Sequence, residues 1–303
     1  MSIISPVPVS KSLKNRIQFL RDEYASLKPG RESLLTLIDE AETPENVYNS
    51  NAIENSTLTL GETEKILMEL ELSRNVSMRE VFEAKNLARV IAHKRGKVQK
   101  EPLTEDLILF LHNMLMSGID DPIAGRFRQK GEYVRVGTHI APHPEHVEEM
   151  INEILLSYSG DMNGYFLEKI AKFHLDFETV HPFCDGNGRI GRVIINFQLL
   201  ELGFPRIIIR NSDKQTYYRA FDEYRENGNT KGMEKILSLA LLESMHKRIA
   251  YLKGGKIVRL SDYIKKRKLS ASAVSNAARR QTVPAFREKG VWKIEDGYVR
   301  KKR

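Results

Sequence analysis

The sequence lacks the features of a secreted or membrane-spanning chain. Of its 303 residues only Cys184 is a cysteine, so no disulfide can form within the chain, and an intracellular, cytoplasmic protein is expected. No apolar run approaches the roughly 18 residues that a spanning helix needs. The opening stretch, MSIISPVPVSKSLKNRI, has no apolar block of the kind a signal peptide carries. No membrane partner is therefore expected. Repeats and low-complexity tracts are absent too. Carboxylates are scarce at one end: residues 251–303 hold 16 Lys and Arg against 4 Asp and Glu, a local charge of +12. The other 250 residues hold 32 against 36, or −4. The net +8 is thus a property of the C-terminal end. A local basic end suits a polyanion-binding module better than a uniformly basic enzyme. A solubilising tail is the plainer alternative.

What the sequence has in quantity is helical periodicity. Apolar residues recur at spacings of three and four, as at Leu13, Ile17, Leu20 and Tyr24. Helices are predicted over 11–27, 31–40, 61–72, 78–93, 104–116, 146–157, 165–180, 189–202, 214–226 and 231–251. A break of strand character, RQKGEYVRVGTHIAPHP, interrupts them at 128–144, and 132–138 within it suits a short hairpin or flap. The KGGK at 253–256 reads as a linker where the charge balance changes. Three regions follow: an N-terminal helical region, 1–100, a central domain, 101–250, and a basic module, 251–303.

One loop concentrates the chemistry. HPFCDGNGR, at 181–189, joins two amphipathic helices, one with Ile170, Phe173, His174, Phe177 and Val180 on its stripe, the other with Ile190, Val193, Ile194, Phe197 and Leu200. Pro182 discourages helix through His181. Gly186 and Gly188 permit backbone angles and close approaches that other residues resist. Successive N–H groups in such a turn can converge on one anion, and the N-terminus of the second helix adds free donors and a positive dipole end. Arg189 and Arg192 lie near one face of that helix and offer forks for phosphate oxygens. Asp185 can hold Mg²⁺, which prefers carboxylate and phosphate oxygens. His181 can accept a proton from an attacking hydroxyl, and Asn187 can donate to a phosphate. These residues read as a phosphate, metal and base site. A solvated helix–loop–helix turn is the plainer reading, and it suits a bare GNG rather than this run continued by IGR.

HPFCDGNGRIGR, at 181–192, resembles the Fic motif H-x-F-x-(D/E)-G-N-G-R-x-x-R at every specified position. The resemblance extends upstream through GRFR at 125–128 and covers roughly 104–202 well. It implies a mainly α fold, a helical bundle with a β-hairpin flap, and transfer of AMP from ATP to a Ser, Thr or Tyr hydroxyl of a target protein with Mg²⁺ bound. It further implies that His181 is the general base and that Asp185 holds Mg²⁺. Gly186, Asn187 and Gly188 would form the anion hole, Arg189 would meet the β-phosphate and Arg192 the γ-phosphate. Phe183 would point into the core. Upstream, SNAIEN at 50–55 resembles the family's inhibitory motif (S/T)-x-x-x-E-(G/N), which implies that Glu54, with Ser50 at the head of the motif, pairs with Arg192 and blocks the γ-phosphate position. The same Glu54 could instead position water for removing AMP, and an ordinary exposed helix residue is the plain alternative.

Smaller candidates weigh less. Cys184 occupies a variable position of the motif and is not read as a nucleophile. His174 reads as a core histidine. His139 and His143 lie in the flap region without a zinc spacing, and 133–138 reads as a flap that pairs a target segment by its backbone. Tyr217 and Tyr218 are expected to pack in the core, and exposed tyrosines leave self-modification open. In 256–299, Ile257, Leu260, Tyr263 and Ile264 suggest one helix, with Ser261 as its cap. A second helix at 271–280 turns Ala273, Val274 and Ala277 inward and Ser275, Asn276, Arg279 and Arg280 outward. The alternation of VWKIEDGYV suggests a hairpin. This resembles a small winged-helix α+β domain and makes DNA a candidate partner; a homodimerisation module and a docking site for the acidic surface of a target are the alternatives. Besides AMP transfer, two readings stay open: a DNA-binding regulator that uses the site as a nucleotide sensor, and a related enzyme that removes AMP or transfers another nucleotide or phosphoryl group.

Overall fold

The computed structural model describes residues 11–93 and 102–299, and they are mainly α-helical with small sheets. They form two compact units. The first spans Thr43–Gly203, within its described residues, and Ile209–Glu234. The second comprises the described residues of Val7–Glu42, Phe204–Ile208 and Lys235–Arg303. The sequence-read boundary at 100/101, the first ten residues and the basic 300–303 lie outside the described residues.

The helices in chain order are α1 (Lys11–Leu27), α2 (Glu32–Ile53), α3 (Leu60–Leu67), α4 (Met78–Ala92), α5 (Glu105–Met116) and α6 (Val147–Gly160). There follow α7 (Phe166–Val180), α8 (Asn187–Glu201), α9 (Lys214–Asn227), α10 (Lys231–Leu252), α11 (Leu260–Lys266) and α12 (Ala271–Arg279). Among the described residues none is long and apolar enough to cross a membrane. Local chemistry sets many of the ends. Thr59 and Glu62 close a reciprocal capping box at α3, and Ser77, Thr104 and Ser270 cap α4, α5 and α12 through their side chains. α9 stops at Gly228 in the left-handed region, φ 70°.

In the first unit, α4, α5, α7 and α8 enclose a core that includes Leu87, Ile108, Leu111, Leu115, Phe177, Phe183, Ile190 and Ile194. The flap is a two-stranded hairpin, β1 (Arg135–Val136) paired antiparallel with β2 (His139–Ile140). It lies slightly beyond the predicted 132–138, because Gly137, at φ 60°, supplies the left-handed turn. The helix predicted to end near residue 40 instead runs through Pro44 to Ile53. Proline removes one backbone donor there, and tertiary partners beyond it hold the helix: Val47 and Ile53 are fully buried and Arg210 pairs with Glu45 at 2.5 Å.

In the second unit, β3 (Ile257–Arg259), β5 (Val291–Glu295) and β4 (Phe286–Glu288) form an antiparallel sheet in the order β3-β5-β4, with α11 and α12 between β3 and β4 in sequence. Several local expectations fail. Ile257 belongs to a strand rather than a helix face, because it pairs with Glu295 across the sheet. Ser261 does not cap α11, which starts from Arg259 without a side-chain cap. Ala273, expected inward, is exposed, and Ala278 is buried in its place. The hairpin begins earlier than predicted, at Phe286, because Lys289 and Gly290 both take positive φ, the conformation of a two-residue primed turn.

Arg248 is fully enclosed in this unit and pairs with Asp39 at 2.5 Å and Glu42 at 2.7 Å, with a bond to Ser244 Oγ at 2.7 Å. Truncating one side of a buried pair strands the other charge. Arg248→Ala should therefore lower the free energy of unfolding by about 3–5 kcal/mol, read from urea denaturation; a loss below about 1 kcal/mol would contradict this role.

Candidate active site

The 181–192 loop is built from both helix ends. α7 terminates at His181, whose backbone sits in the left-handed region at φ 50° and whose N–H donates to Phe177 O. Arg128, from the GRFR stretch, is 3% exposed and gathers the loose carbonyls: its guanidinium donates to His181 O at 2.8 Å, Val180 O at 3.2 Å, Pro142 O at 3.0 Å and Glu132 O at 3.1 Å. The Arg128 N–H also donates to Pro182 O. One buried cation thus ties the C-terminus of α7 to the flap. Phe183 is fully buried as expected, and His112 stacks on it with ring centroids 3.6 Å apart. Gly125 N donates to His112 Nδ1, so the proton lies on Nε2, which donates to Asp185 O at 3.0 Å. Burial holds the His112 pKa down at about 4, so the ring stays neutral in this role.

Asn187 closes the loop on itself. Its Oδ1 accepts from Phe183 N and its Nδ2 donates to Phe183 O, both at 2.8 Å. The side-chain amide expected to meet a phosphate is therefore committed to the loop, and the residue offers an anion only its backbone N–H. α8 begins two residues earlier than predicted, at Asn187, from Gly186 at φ 83°. The first-turn N–H groups at 187, 188 and 189 have no acceptor within the helix, and they make the anion-binding end.

Glu54 occupies this end. It follows the last turn of α2, and its Oε1 accepts from Arg192 Nη2 at 2.8 Å. Ser50 supports the same guanidinium, its Oγ accepting from Nε at 2.9 Å and its carbonyl from Nη2 at 2.8 Å. The carboxylate lies so close over α8 that a Cβ on Gly188 would overlap it and stand 3.1 Å from Arg192 Nη1. Glycine is needed there for that approach. Arg192 is 6% exposed and its Nη1 is buried with no acceptor. Burial works against its charge, but the Glu54 carboxylate, together with Tyr217 and Glu178, raises its pKa on balance. The end of α2 and the residues after it are held from α9 and its approach: Asn211 N donates to Asn49 Oδ1, Lys214 Nζ to Asn55 Oδ1 and Tyr218 Oη to Ile53 O. Glu80 of α4 accepts from Thr57 N at 2.7 Å.

α4 supplies two residues that carry no functional signal in the sequence. Arg79 pairs with Asp185, and Glu83 pairs with Arg189 Nη1 at 3.1 Å, while Arg189 Nη2 reaches Asp185 Oδ1 at 2.9 Å. Only a structure brings 79 and 83 to 185 and 189. The Asp185 carboxylate is partly exposed beside the α8 N-terminus, a fitting single-carboxylate anchor for Mg²⁺ whose other ligands are phosphate oxygens and water, once Arg79 gives way. The orphaned Arg192 Nη1 fits one further anionic oxygen.

His181 Nδ1 lies 3.6 Å from Glu178 Oε2 without a hydrogen bond. Burial depresses the His181 pKa to about 4 and raises that of Glu178 to about 8, the latter with repulsion from Glu54 added. At neutral pH the imidazole is unprotonated, the state a base needs. His174 Nε2 meets Tyr217 Oη at 2.6 Å, and Tyr217 is buried, so both belong to the core. Cys184 is half-buried, and burial followed by the charge of Glu132 pushes its thiol up to about 11, away from thiolate chemistry. His143 meets Tyr133 Oη, and His139 meets Thr179 O. Among the described residues no three His, Cys, Asp or Glu side chains gather as a metal site.

Comparison with known proteins shows what the chain is similar to. The family described as Fic/DOC matches residues 102–199. "Protein adenylyltransferase Fic" of Nematostella vectensis is 31% identical over 220 residues, 71% of this chain and 51% of its own length. The fic-1 protein adenylyltransferase of Caenorhabditis elegans is 28% identical over 69% of this chain and 42% of its own length. The chain thus spans about half the length, or less, of these curated relatives. A Fic-domain signalling protein from Bacteroides thetaiotaomicron superposes with a TM-score of 0.72 at 28% identity, covering 80% of this chain and 98% of that one.

Three pKa shifts set a testable pH dependence. Glu178 is protonated in the fold at pH values where the unfolded chain is ionised, so stability falls as pH rises from about 4.5 towards 8. His112 and His181 act oppositely: the unfolded chain takes up protons the fold refuses, so stability falls as pH drops from 6.5 towards about 4. Glu178→Gln should abolish the first decline and leave the second. Unfolding curves with the same pH profile for both proteins would refute the assignment.

Proposed function

We propose, taking as premise that residues 102–199 are a Fic domain, that this chain transfers AMP from ATP to a Ser, Thr or Tyr hydroxyl of a target protein and that Glu54 restrains the transfer. The names of the curated relatives support the reaction. The observation that carries the restraint is the Glu54 carboxylate over Gly188, paired with a buried Arg192 that still has a free donor.

The chemistry follows from the residues. The unprotonated imidazole of His181, at the left-handed end of α7, takes the proton of the target hydroxyl. The hydroxyl oxygen forms its bond to the α-phosphorus, the bond from that phosphorus to the bridging oxygen breaks, and pyrophosphate leaves. The backbone N–H groups at 187–189 hold phosphate oxygens, Arg189 meets the β-phosphate, and Arg192 meets the γ-phosphate. Mg²⁺ on Asp185 would neutralise phosphate charge. The flap strands offer backbone groups to an extended target segment.

With Glu54 in place the γ-phosphate finds its guanidinium taken and meets a like charge. A charge-assisted pair contributes about 1.5–3 kcal/mol, which corresponds to roughly ten- to a hundredfold in rate. With α-labelled ATP and Mg²⁺, Glu54→Gly should label itself or lysate proteins about ten to a hundred times more strongly than wild type. Glu54→Gly/His181→Ala should be silent. Label absent from Glu54→Gly despite ATP binding would overturn the reaction; equal label in wild type and Glu54→Gly would overturn the restraint. A second prediction concerns α4: Arg79→Ala frees Asp185 Oδ2, while Arg189 keeps Oδ1, and should tighten Mg²⁺-dependent ATP binding, with no change in Mg²⁺ dependence as the contrary result.

A further inference from the structure

We propose that the C-terminal segment from β3 to β5 binds duplex DNA through the outer face of α12. The charge is one-sided to an unusual degree. Between Asp262 and Glu288 the chain has seven Lys and Arg and no carboxylate. Asp262 stays exposed at the start of the stretch, whereas the carboxylates at its far end are paired within the fold. Asp296 pairs with Lys266 at 2.8 Å, and Glu288 accepts from Tyr251 Oη at 2.6 Å and pairs with Lys247 and Lys293. Lys265, Lys268, Arg279 and Arg280 keep their charge in solvent, with no ion pair among the described residues. A surface that keeps several unpaired cations against the single exposed carboxylate of Asp262 attracts a polyanion.

The shape selects which polyanion. α11 and α12 are joined by the short segment 267–270, and the sheet closes behind them on a core of Leu260, Val274, Ala277, Ala278, Val283 and Ile294. With Val274, Ala277 and Ala278 turned inward, Ser272, Asn276 and Arg279 form a stripe on the opposite face at helical spacing. Asn, Ser and Arg are side chains that read base edges in a major groove, and the neighbouring Ala271 and Ala273 are small enough to allow close approach. The stripe carries no aromatic ring on which single-stranded bases would stack. It has no large apolar anchor of the kind a protein interface centres on. A-form RNA hides its major groove edges from a helix. Duplex DNA is the ligand that meets all of these conditions.

The test uses the full chain, a labelled mixed-sequence DNA duplex and fluorescence anisotropy over a salt series. Binding should weaken with salt, and Arg279→Ala/Arg280→Ala should reduce the slope of log K against log salt by about 2, close to one for each phosphate left without its arginine. Ser272→Asp, which adds a carboxylate to the same stripe and leaves both arginines in place, should weaken binding as well. Exposure of all three positions predicts unchanged melting of the variants. Three results would overturn the proposal: no duplex binding at low salt, tighter binding of single-stranded DNA or an RNA duplex, or an equal loss in Lys11→Ala/Lys28→Ala. The last would mean attraction to the general positive charge rather than recognition by α12.

Discussion

A buried guanidinium must have an anion, and in this protein that requirement governs the site. Arg192 is enclosed, and removing the partner of such a charge costs about 3–5 kcal/mol when burial is complete. The fold meets the requirement with Glu54 and Ser50 from the end of α2, and Tyr218, Lys214 and Asn211 hold that segment in place. The pairing is incomplete, because Nη1 has no acceptor and Glu54 keeps a partly solvated carboxylate. A ligand with more anionic oxygens than one carboxylate can therefore compete for the same position. On this account inhibition and substrate binding are two answers to one electrostatic demand.

The rest of the loop is fastened by buried hydrogen bonds. Arg128 gathers the last carbonyls of α7, His112 holds the Asp185 carbonyl, and Asn187 bonds Phe183 in both directions. Three buried polar side chains thus fix the backbone from which His181, Asp185 and the first turn of α8 project. Arg79 and Glu83 reach the same residues from α4, so the cation and anion positions of the site are both filled by the protein's own groups.

Much of this was legible in the sequence because it is local. The loop's glycines, His181, Asp185 and the two arginines sit within twelve residues, and amphipathic spacing marked the helices around them. Glu54 was legible only through its motif. What could not be read was non-local. The second helix was expected over 31–40, yet burial of Val47 and Ile53 and the Arg210–Glu45 pair carry α2 on to Ile53, beside Glu54. β3 has three residues and no periodic signal of its own, and its pairing partner, β5, lies more than thirty residues on. Arg79, Glu83 and His112 look like ordinary helix residues until the fold brings them to the loop. Asn187 misled in the opposite sense: its type suggested a phosphate donor, while its geometry makes it a loop fastener.

The claim at the centre is that Glu54 holds the place of the γ-phosphate on Arg192. The most direct measurement compares the affinities of ATP and ADP for wild type and Glu54→Gly, each by calorimetry with Mg²⁺ present. The account predicts that the substitution tightens ATP by roughly tenfold or more and ADP far less, because only ATP carries the group that inherits Arg192. An equal gain for both nucleotides, or none for either, would contradict it.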